Sequence, residues 1–293
     1  MPRVLIAGCG YVGSATAELF HARGWEVEGW TASAESAERL GATATYRVRA
    51  VNLADAEAVT GAAGPAGFDV VIQSASSRGG NADDYRRVYL RAAQNLTAAC
   101  PTARLIFVSS TSVYGQTNGE WVTERSPANP PRPTGEVLRE TEEFVLARGG
   151  IVARLAGVYG PGRSALLRKF LDGTAVLDPA ADRFINQAHR DDIAAALFLI
   201  ATQSIPENAS GEEESRIYNV SDSHPITLRE CYEWLAKHLA RPLPPMTRSL
   251  VHRKRGATNK RISSAKLSEL GWSPVYPTFA DGMSRNVLPE ANL

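Results

Sequence analysis

The chain has 293 residues, 44% hydrophobic and 22% charged, a composition of folded globular proteins. Lys and Arg total 32 against 31 Asp and Glu, and the formal charge of +1 supplies no global field for nucleic acid or a membrane surface. No run approaches the ~20 apolar residues of a membrane span, the first apolar stretch is too short for a secretion signal, and Cys9, Cys100 and Cys231 show neither disulfide nor metal spacing, which points to a reducing cytoplasm.

Short apolar runs alternate with helical patterns. Strands are predicted at 3–7, 25–30, 45–48, 69–73, 104–108 and 151–155, with helices at 11–23, 33–40, 55–62, 82–99 and 134–148 between them. This alternation predicts an α/β fold, a doubly wound parallel sheet with helices on both faces. Runs such as Phe68-Asp69-Val70-Val71-Ile72 and Arg104-Leu105-Ile106-Phe107-Val108 read as strands buried on both sides. Residues 115–133 carry Gly115, Gly119, Pro127, Pro130, Pro131 and Pro133 and read as a long irregular loop. Beyond 155 the spacing predicts a helix at 190–203, a strand at 216–220, a helix from Thr227 to about 240 with Glu230 completing a capping box, and a last short helix over 263–271. Glu212-Glu213-Glu214 reads as a solvated loop. His252-Arg253-Lys254-Arg255 with Lys260-Arg261 is a basic cluster, read as a solvated loop or a contact to a phosphate-bearing substrate.

The first helix follows Ala7-Gly8-Cys9-Gly10-Tyr11-Val12-Gly13, in which Gly8, Gly10 and Gly13 fit G-x-G-x-x-G. One glycine turns the chain off the strand, one lets the backbone approach a pyrophosphate, and one lets helix pack on strand. Tyr11 and Val12 open the helix, whose N-terminal amides favour an anion. The expected architecture is thus Rossmann-type. Residues 1–159, completed by 189–221, would form the dinucleotide-binding core, and 160–188 with 222–293 a smaller substrate-capping lobe.

The motifs that follow resemble those of the extended short-chain dehydrogenase/reductases, in the NAD-dependent epimerase/dehydratase branch, nearly end to end. Asn52-Leu53 resembles the pair that flanks the adenine. Ser74-Ala75-Ser76 resembles the small-residue loop along the cofactor, and Asn95-Leu96 a helical Asn-Leu pair. Ser109-Ser110-Thr111-Ser112-Val113-Tyr114-Gly115 resembles the Ser-Ser-x-x-Val-Tyr-Gly block. Arg154, Tyr159-Gly160-Pro161-Gly162 and Asp192-Ile193-Ala194 match further blocks in order. The resemblance implies a nicotinamide cofactor near Ser109, Ser110 as the catalytic serine, and a homodimer through the helices at 82–99 and 134–148.

It also exposes departures. The family's catalytic Tyr falls on Thr134 and its Lys on Leu138, while Gly135 and Glu142 keep the surrounding pattern. A threonine hydroxyl does not titrate near neutrality, so Thr134 is expected to orient substrate or water, and the chain resembles atypical members of the family. Arg139 lies ~100° round the helix from Leu138 and is a poor substitute. Gly157 and Tyr89 replace asparagines of the sugar-nucleotide enzymes. At the end of the second strand Thr31-Ala32-Ser33 offers hydroxyls but no acid for the adenine ribose, and Glu28 lies inside the strand. NADP is therefore expected, with NAD the alternative. Substrate candidates are Arg78, Tyr114, Arg154 and Arg163. Arg154, in an otherwise apolar strand, needs a carboxylate partner and is read as an ion pair or a substrate contact. His189 is read as a helix-entry hydrogen-bonding group or an acid. No metal spacing is seen among the histidines. The expected reaction is reduction or epimerisation of a small carbonyl or sugar-type substrate; the other reading is an NADP(H)-binding sensor without turnover.

Overall fold

Strands that are apolar at every position need cover on both faces, and the chain supplies it. The computed structural model describes residues 1–77, 79–179, 181–203, 213–222, 224–247 and 258–291. β1 (Arg3–Ala7), α1 (Tyr11–Ala22), β2 (Glu26–Thr31), α2 (Ala34–Gly41), β3 (Arg47–Ala50), α3 (Ala56–Ala63) and β4 (Val70–Gln73) form the first half of the wind. α4 (Ala82–Tyr85) and α5 (Ala92–Ala99) follow, joined by a π-helical turn over Arg86–Arg91. Then come β5 (Arg104–Ser110), β6 (Glu120–Val122), α6 (Pro133–Leu146), β7 (Ile151–Leu155), β8 (Gly157–Tyr159) and α7 (Ala165–Leu171). The chain continues through β9 (Phe184–Ile185), β10 (Gln187–His189), α8 (Arg190–Thr202), β11 (Ile217–Val220), β12 (Ile226–Thr227), α9 (Leu228–His238), β13 (Lys260–Ile262), α10 (Ala265–Glu269) and α11 (Phe279–Gly282).

Seven strands form one parallel sheet in the order β11-β7-β5-β4-β1-β2-β3. This is the doubly wound sheet expected. Alternate residues of β1 serve opposite cores: Val4 and Ile6 pack with Ala17 and Phe20 of α1 and Ile193 and Leu197 of α8, while Leu5 and Ala7 pack with Val59, Leu96, Leu138 and Val145 of α3, α5 and α6. The strand order reverses between β1 and β4, and the loops after these two strands meet at that switch point, where open α/β sheets place their ligands.

Four expectations change in detail. The third strand runs over Arg47–Ala50 rather than 45–48, because Tyr46 turns its ring into the core beside Cys9. The helix at 82–99 is continuous but widens to π winding at its centre. The loop at 115–133 contains β6, which pairs in parallel with β13, so Lys260 and Arg261 belong to a strand and not to a solvated loop. Lys260 is buried and its Nζ donates to the Tyr114 carbonyl at 2.8 Å. The rest of that basic cluster, His252 to Arg255, and Glu212 lie outside the described residues. The last helix shortens to Ala265–Glu269, and α11, continued by a π turn over Met283–Val287, has no counterpart among the predicted elements.

Residues from 222 onward divide between two packings. Leu228, Cys231, Tyr232 and Leu235 of α9 join Phe279, Met283 and Val287 in a third core with Tyr159, Leu167 and Phe170. Ile262, Leu267 and Trp272 pack instead against the two faces of the main sheet. No helix among the described residues is long and apolar enough to cross a membrane.

Asp222 sits where β11 leaves the sheet for the third core. It is buried, its amide donates to the Gln187 carbonyl at 2.6 Å, and its Oδ1 meets no donor among the described residues. Burial pushes its carboxyl up to about 8. The folded state therefore holds a proton that the unfolded chain releases near its ordinary value of ~4. Stability is greatest below that value and is lost as pH rises through about 8. Asp222→Asn keeps the shape of the protonated acid and does not titrate. Its melting-temperature advantage over the parent is expected to widen between pH 5 and pH 8.5; equal gaps at the two pH values in thermal melts would refute the assignment.

Candidate functional site

The glycine loop hangs from the neighbouring strand: the Gly8 and Cys9 amides both donate to the Trp30 carbonyl, at 3.0 and 2.7 Å. Gly8 takes φ +106°, and a Cβ there would lie 2.6 Å from the Ser74 carbonyl carbon. A Cβ on Gly13 would come 2.9 Å from Ser74 Oγ, which itself donates to the Gly8 carbonyl at 3.0 Å. Two of the three glycines are thus demanded by the protein's own contacts. Gly10 is not: the nearest atom to its Cβ position is 4.0 Å away. α1 begins beside this open edge with no capping side chain and no acid in its first turn. By contrast Ser33, Asp55, His189 and Thr227 cap α2, α3, α8 and α9. Uncapped amides beside an open glycine edge suit the diphosphate of a dinucleotide. Among the expected cofactor residues, the structure brings Gly8, Gly10, Tyr11, Val12, Gly13, Ser74 and Ala75 together here. Cys9 is buried within the loop, where burial pushes its thiol up to about 11 and keeps it protonated at neutral pH.

On the adenine side, Thr31 is buried and its hydroxyl donates to the Ser33 carbonyl at 3.1 Å. Its part is to shape the turn, not to offer a free hydroxyl. Ala32 and Ser33 are exposed, and Ser33 Oγ accepts from the Ser36 amide and donates to Ser36 Oγ at the start of α2. The Glu28 carboxylate accepts from Trp30 Nε1 at 2.8 Å and meets Arg49 at 3.3 Å, so it is engaged inside the sheet. Asn52 is exposed and turns the chain by accepting from the Ala54 amide. Leu53 packs on the core, and Asn95 Nδ2 donates to its carbonyl at 2.9 Å.

Ser76 lies exposed on the loop after β4, and Arg78 falls outside the described residues. Tyr89 braces this loop: its hydroxyl accepts from the Ser77 amide at 3.3 Å and its carbonyl accepts from Gln73 Nε2 at 2.8 Å. Tyr89 lies within the π turn, and π turns recur at functional sites.

At the end of β5 the two serines part company. Ser109 is buried and donates to Glu142 at 2.6 Å. Ser110 is half-buried, and its Oγ accepts from the Ser112 amide at 3.1 Å, which leaves the hydroxyl proton for another acceptor. Thr134 is half-exposed in the first turn of α6. Leu138 is sealed in the core, and Arg139 is bound to Glu142 at 2.7 Å and Glu143 at 3.2 Å, so neither provides a cation at the place of a catalytic lysine.

Two expected substrate residues are not on a cleft. Arg154 and Tyr114 are fully buried and bonded to each other at 2.7 Å. Arg154 also donates through Nε and one terminal nitrogen to Glu142, at 3.0 and 2.7 Å, and the Tyr114 hydroxyl donates to Asn219 Oδ1 at 2.9 Å. Of the two readings open for Arg154, the structure gives the ion pair. Burial alone would lower the guanidinium's pKa, but the Glu142 carboxylate holds it above its ordinary value. Burial likewise raises the Tyr114 phenol, which does not titrate near neutrality. Glu142, noted in the sequence only as a pattern match, has a role that sequence reading missed. Its signal was an acid on the apolar stripe Leu138, Thr141, Glu142, Val145 of α6.

His189 caps α8: Nδ1 accepts from the Asp191 amide at 3.2 Å and Nε2 pairs with Asn286 Oδ1 at 2.9 Å. These bonds fit the neutral ring protonated on Nε2, and burial lowers its pKa. The hydrogen-bonding reading therefore holds. Arg163 is exposed, and its guanidinium lies over the Tyr11 ring at the glycine loop.

Comparison with known proteins agrees with this geometry. The family described as the NAD dependent epimerase/dehydratase family matches residues 4–220. Protein YeeZ of Escherichia coli K12 is 30% identical over 292 residues, spanning 94% of this chain and 97% of YeeZ. A 3-diazoavenalumate denitrifying reductase of a Streptomyces species is 25% identical, spanning 97% and 99% of the two chains. The crystal structure of Thermus thermophilus UDP-glucose 4-epimerase, a complex with NAD, shares the fold with a TM-score of 0.79 at 22% identity, covering 99% of this chain and 98% of that one.

Proposed function

Because the chain belongs to the NAD-dependent epimerase/dehydratase family, we propose that it is an NADP(H)-dependent oxidoreductase of a small carbonyl or sugar-type substrate, and that it works without the family's Tyr and Lys. The observation that carries this reading is the open edge at Gly10 beside the uncapped start of α1. The loop 8–13, Leu53 and the strut 74–76 would hold the dinucleotide along the switch point. When bound, the nicotinamide supplies hydride transfer. Ser110 would donate a hydrogen bond to a substrate oxygen, and Thr134 would orient that substrate or a water. Residues 160–188 and 222–293 would supply the walls that select it. NADP is favoured over NAD because no carboxylate stands at position 31 and Glu28 is engaged by Trp30 and Arg49, so neither position offers a free acid to the adenine ribose hydroxyls. The reductase named among the relatives supports a redox reaction.

A second reading draws on Leu138. With that position sealed in the core and Arg139 paired with glutamates, neither supplies a cation that lowers the pKa of an acid, and a dinucleotide-binding sensor without turnover fits as well. One experiment separates them. NADPH and NADH are titrated by fluorescence, and NADPH oxidation is followed over a panel of aldehydes, ketones and sugar nucleotides. Tighter NADPH than NADH binding, and turnover reduced about 10²-fold in Ser110→Ala, are expected, the size of losing one preorganised donor. Tighter NADH binding overturns the cofactor choice. Tight NADPH binding without any turnover selects the sensor.

A further inference from the structure

We propose that Arg163 and Arg190 form a phosphate clamp on the open side of the glycine loop and close over the cofactor's pyrophosphate; this rests on the dinucleotide-binding reading above. The two arginines come from separate segments, the loop after β8 and the first residue of α8. Both place their guanidinium carbons 5.2 Å from the centroid of one ring, Tyr11, the first residue of α1. That ring adjoins Gly10, the one glycine of the loop whose side faces open space.

The arrangement is built rather than incidental. Tyr11 donates its hydroxyl to the Pro161 carbonyl at 3.0 Å, which ties the 160–163 turn to the glycine loop. Gly160 and Arg163 exchange backbone hydrogen bonds of 3.0 Å in each direction, which fixes the Arg163 backbone. A Cβ on Gly160 would lie 2.5 Å from the Tyr11 hydroxyl and 3.2 Å from Arg190 Cβ, so the glycine leaves room for Tyr11 and Arg190 to come together.

The charge balance is favourable to an anion. Arg190 Nε pairs with Asp191 at 2.8 Å, and its two terminal nitrogens have no ion-pair partner among the described residues. Arg163 has no ion-pair partner among them either. Glu18 and Glu290 act on the cluster only at longer range. Planar guanidiniums present paired N–H donors to phosphate oxygens, and stacking on an aromatic face orients them at little entropic cost. Among the described residues Asp191 is the one carboxylate in ion-pair contact with these two cations, and the helix start beside them is uncapped.

The test uses ADP-ribose, which carries the pyrophosphate but neither the nicotinamide nor the 2′-phosphate, together with adenosine 2′-monophosphate, NADPH and inorganic pyrophosphate, all titrated by calorimetry. Arg163→Gln/Arg190→Gln is expected to weaken ADP-ribose and NADPH about tenfold to a hundredfold, as loss of charge-assisted bonds implies, and to leave adenosine 2′-monophosphate unchanged. Tyr11→Leu, which keeps both charges but removes their seat, is expected to lose several-fold. Unchanged ADP-ribose affinity in the double variant overturns the proposal and assigns the pair to a phosphate on the substrate or to none. If the parent binds no dinucleotide yet binds inorganic pyrophosphate in an arginine-dependent way, the clamp stands and the dinucleotide reading falls. If the parent binds neither, both fall.

Discussion

Replacing Glu142 with Ala is expected to destabilise the fold by about 3–5 kcal/mol, the cost of stripping one partner from a buried ion pair. The carboxylate is fully buried and accepts from Arg154 twice, from Ser109 and from Arg139. Without it the Arg154 guanidinium stays in the core with only the neutral Tyr114 hydroxyl, 2.7 Å away, as its hydrogen-bond acceptor. A single alanine thus leaves a buried charge with no carboxylate hydrogen-bonded to it. The reasoning also gives the sign of a cycle. Glu142→Leu with Arg154→Met removes both charges and should recover most of the loss, because two well-packed apolar side chains carry no desolvation penalty. Urea unfolding of the parent, both single variants and the double variant measures this. A loss under ~1 kcal/mol for Glu142→Ala, a surface-pair value, would show that water reaches the pair.

Gly10→Ala and Gly8→Ala should separate binding from folding. At Gly10 the added methyl meets open space at φ −97°, a value any residue adopts. The melting temperature of the free protein should move little, since an N-cap Gly-to-Ala change costs ~1 kcal/mol or less. The methyl would, however, stand where a pyrophosphate must approach the backbone, and NADPH affinity should fall at least tenfold. At Gly8 the same methyl is forced against the Ser74–Ala75 backbone at a positive φ. Left-handed backbone alone costs a side chain ~1–2 kcal/mol, and overpacking adds ~1–3 more, so Gly8→Ala should lower stability and binding together. Melts and NADPH titrations of both variants check this. Undiminished NADPH binding in Gly10→Ala would mean that the phosphates pass elsewhere.

These two cases mark where the sequence was legible. The sheet was readable because β1, β4, β5 and β7 are apolar on both faces, and continuous runs of that kind announce themselves. The glycine loop was readable because each glycine has a distinct steric reason, and spacing alone records it. Side-chain commitments were not. Thr31 and Ser33 both read as exposed hydroxyls, but the first is turned inward onto a carbonyl and only the second reaches solvent. Arg154 read as an ion pair or a substrate contact because a polar group in an apolar strand has two explanations, and only the position of Glu142 decides between them. The pairing of β6 with β13 was hidden for another reason: each strand is three residues long, too short for a period, and about 140 residues separate them.

That last pairing has a consequence for the order in which the molecule matures. The turn that carries Ser110 ends at Tyr114, whose carbonyl is held by Lys260 Nζ at 2.8 Å. Every glycine-loop contact described above draws on residues before 191, so a chain still on the ribosome can assemble its dinucleotide cradle early. Closure of the Ser110 turn must wait for β13 to emerge, because contacts this distant in sequence form only after the intervening loop is paid out. In the growing polypeptide the residues of the cradle are therefore all present well before Lys260, which holds the end of the Ser110 turn.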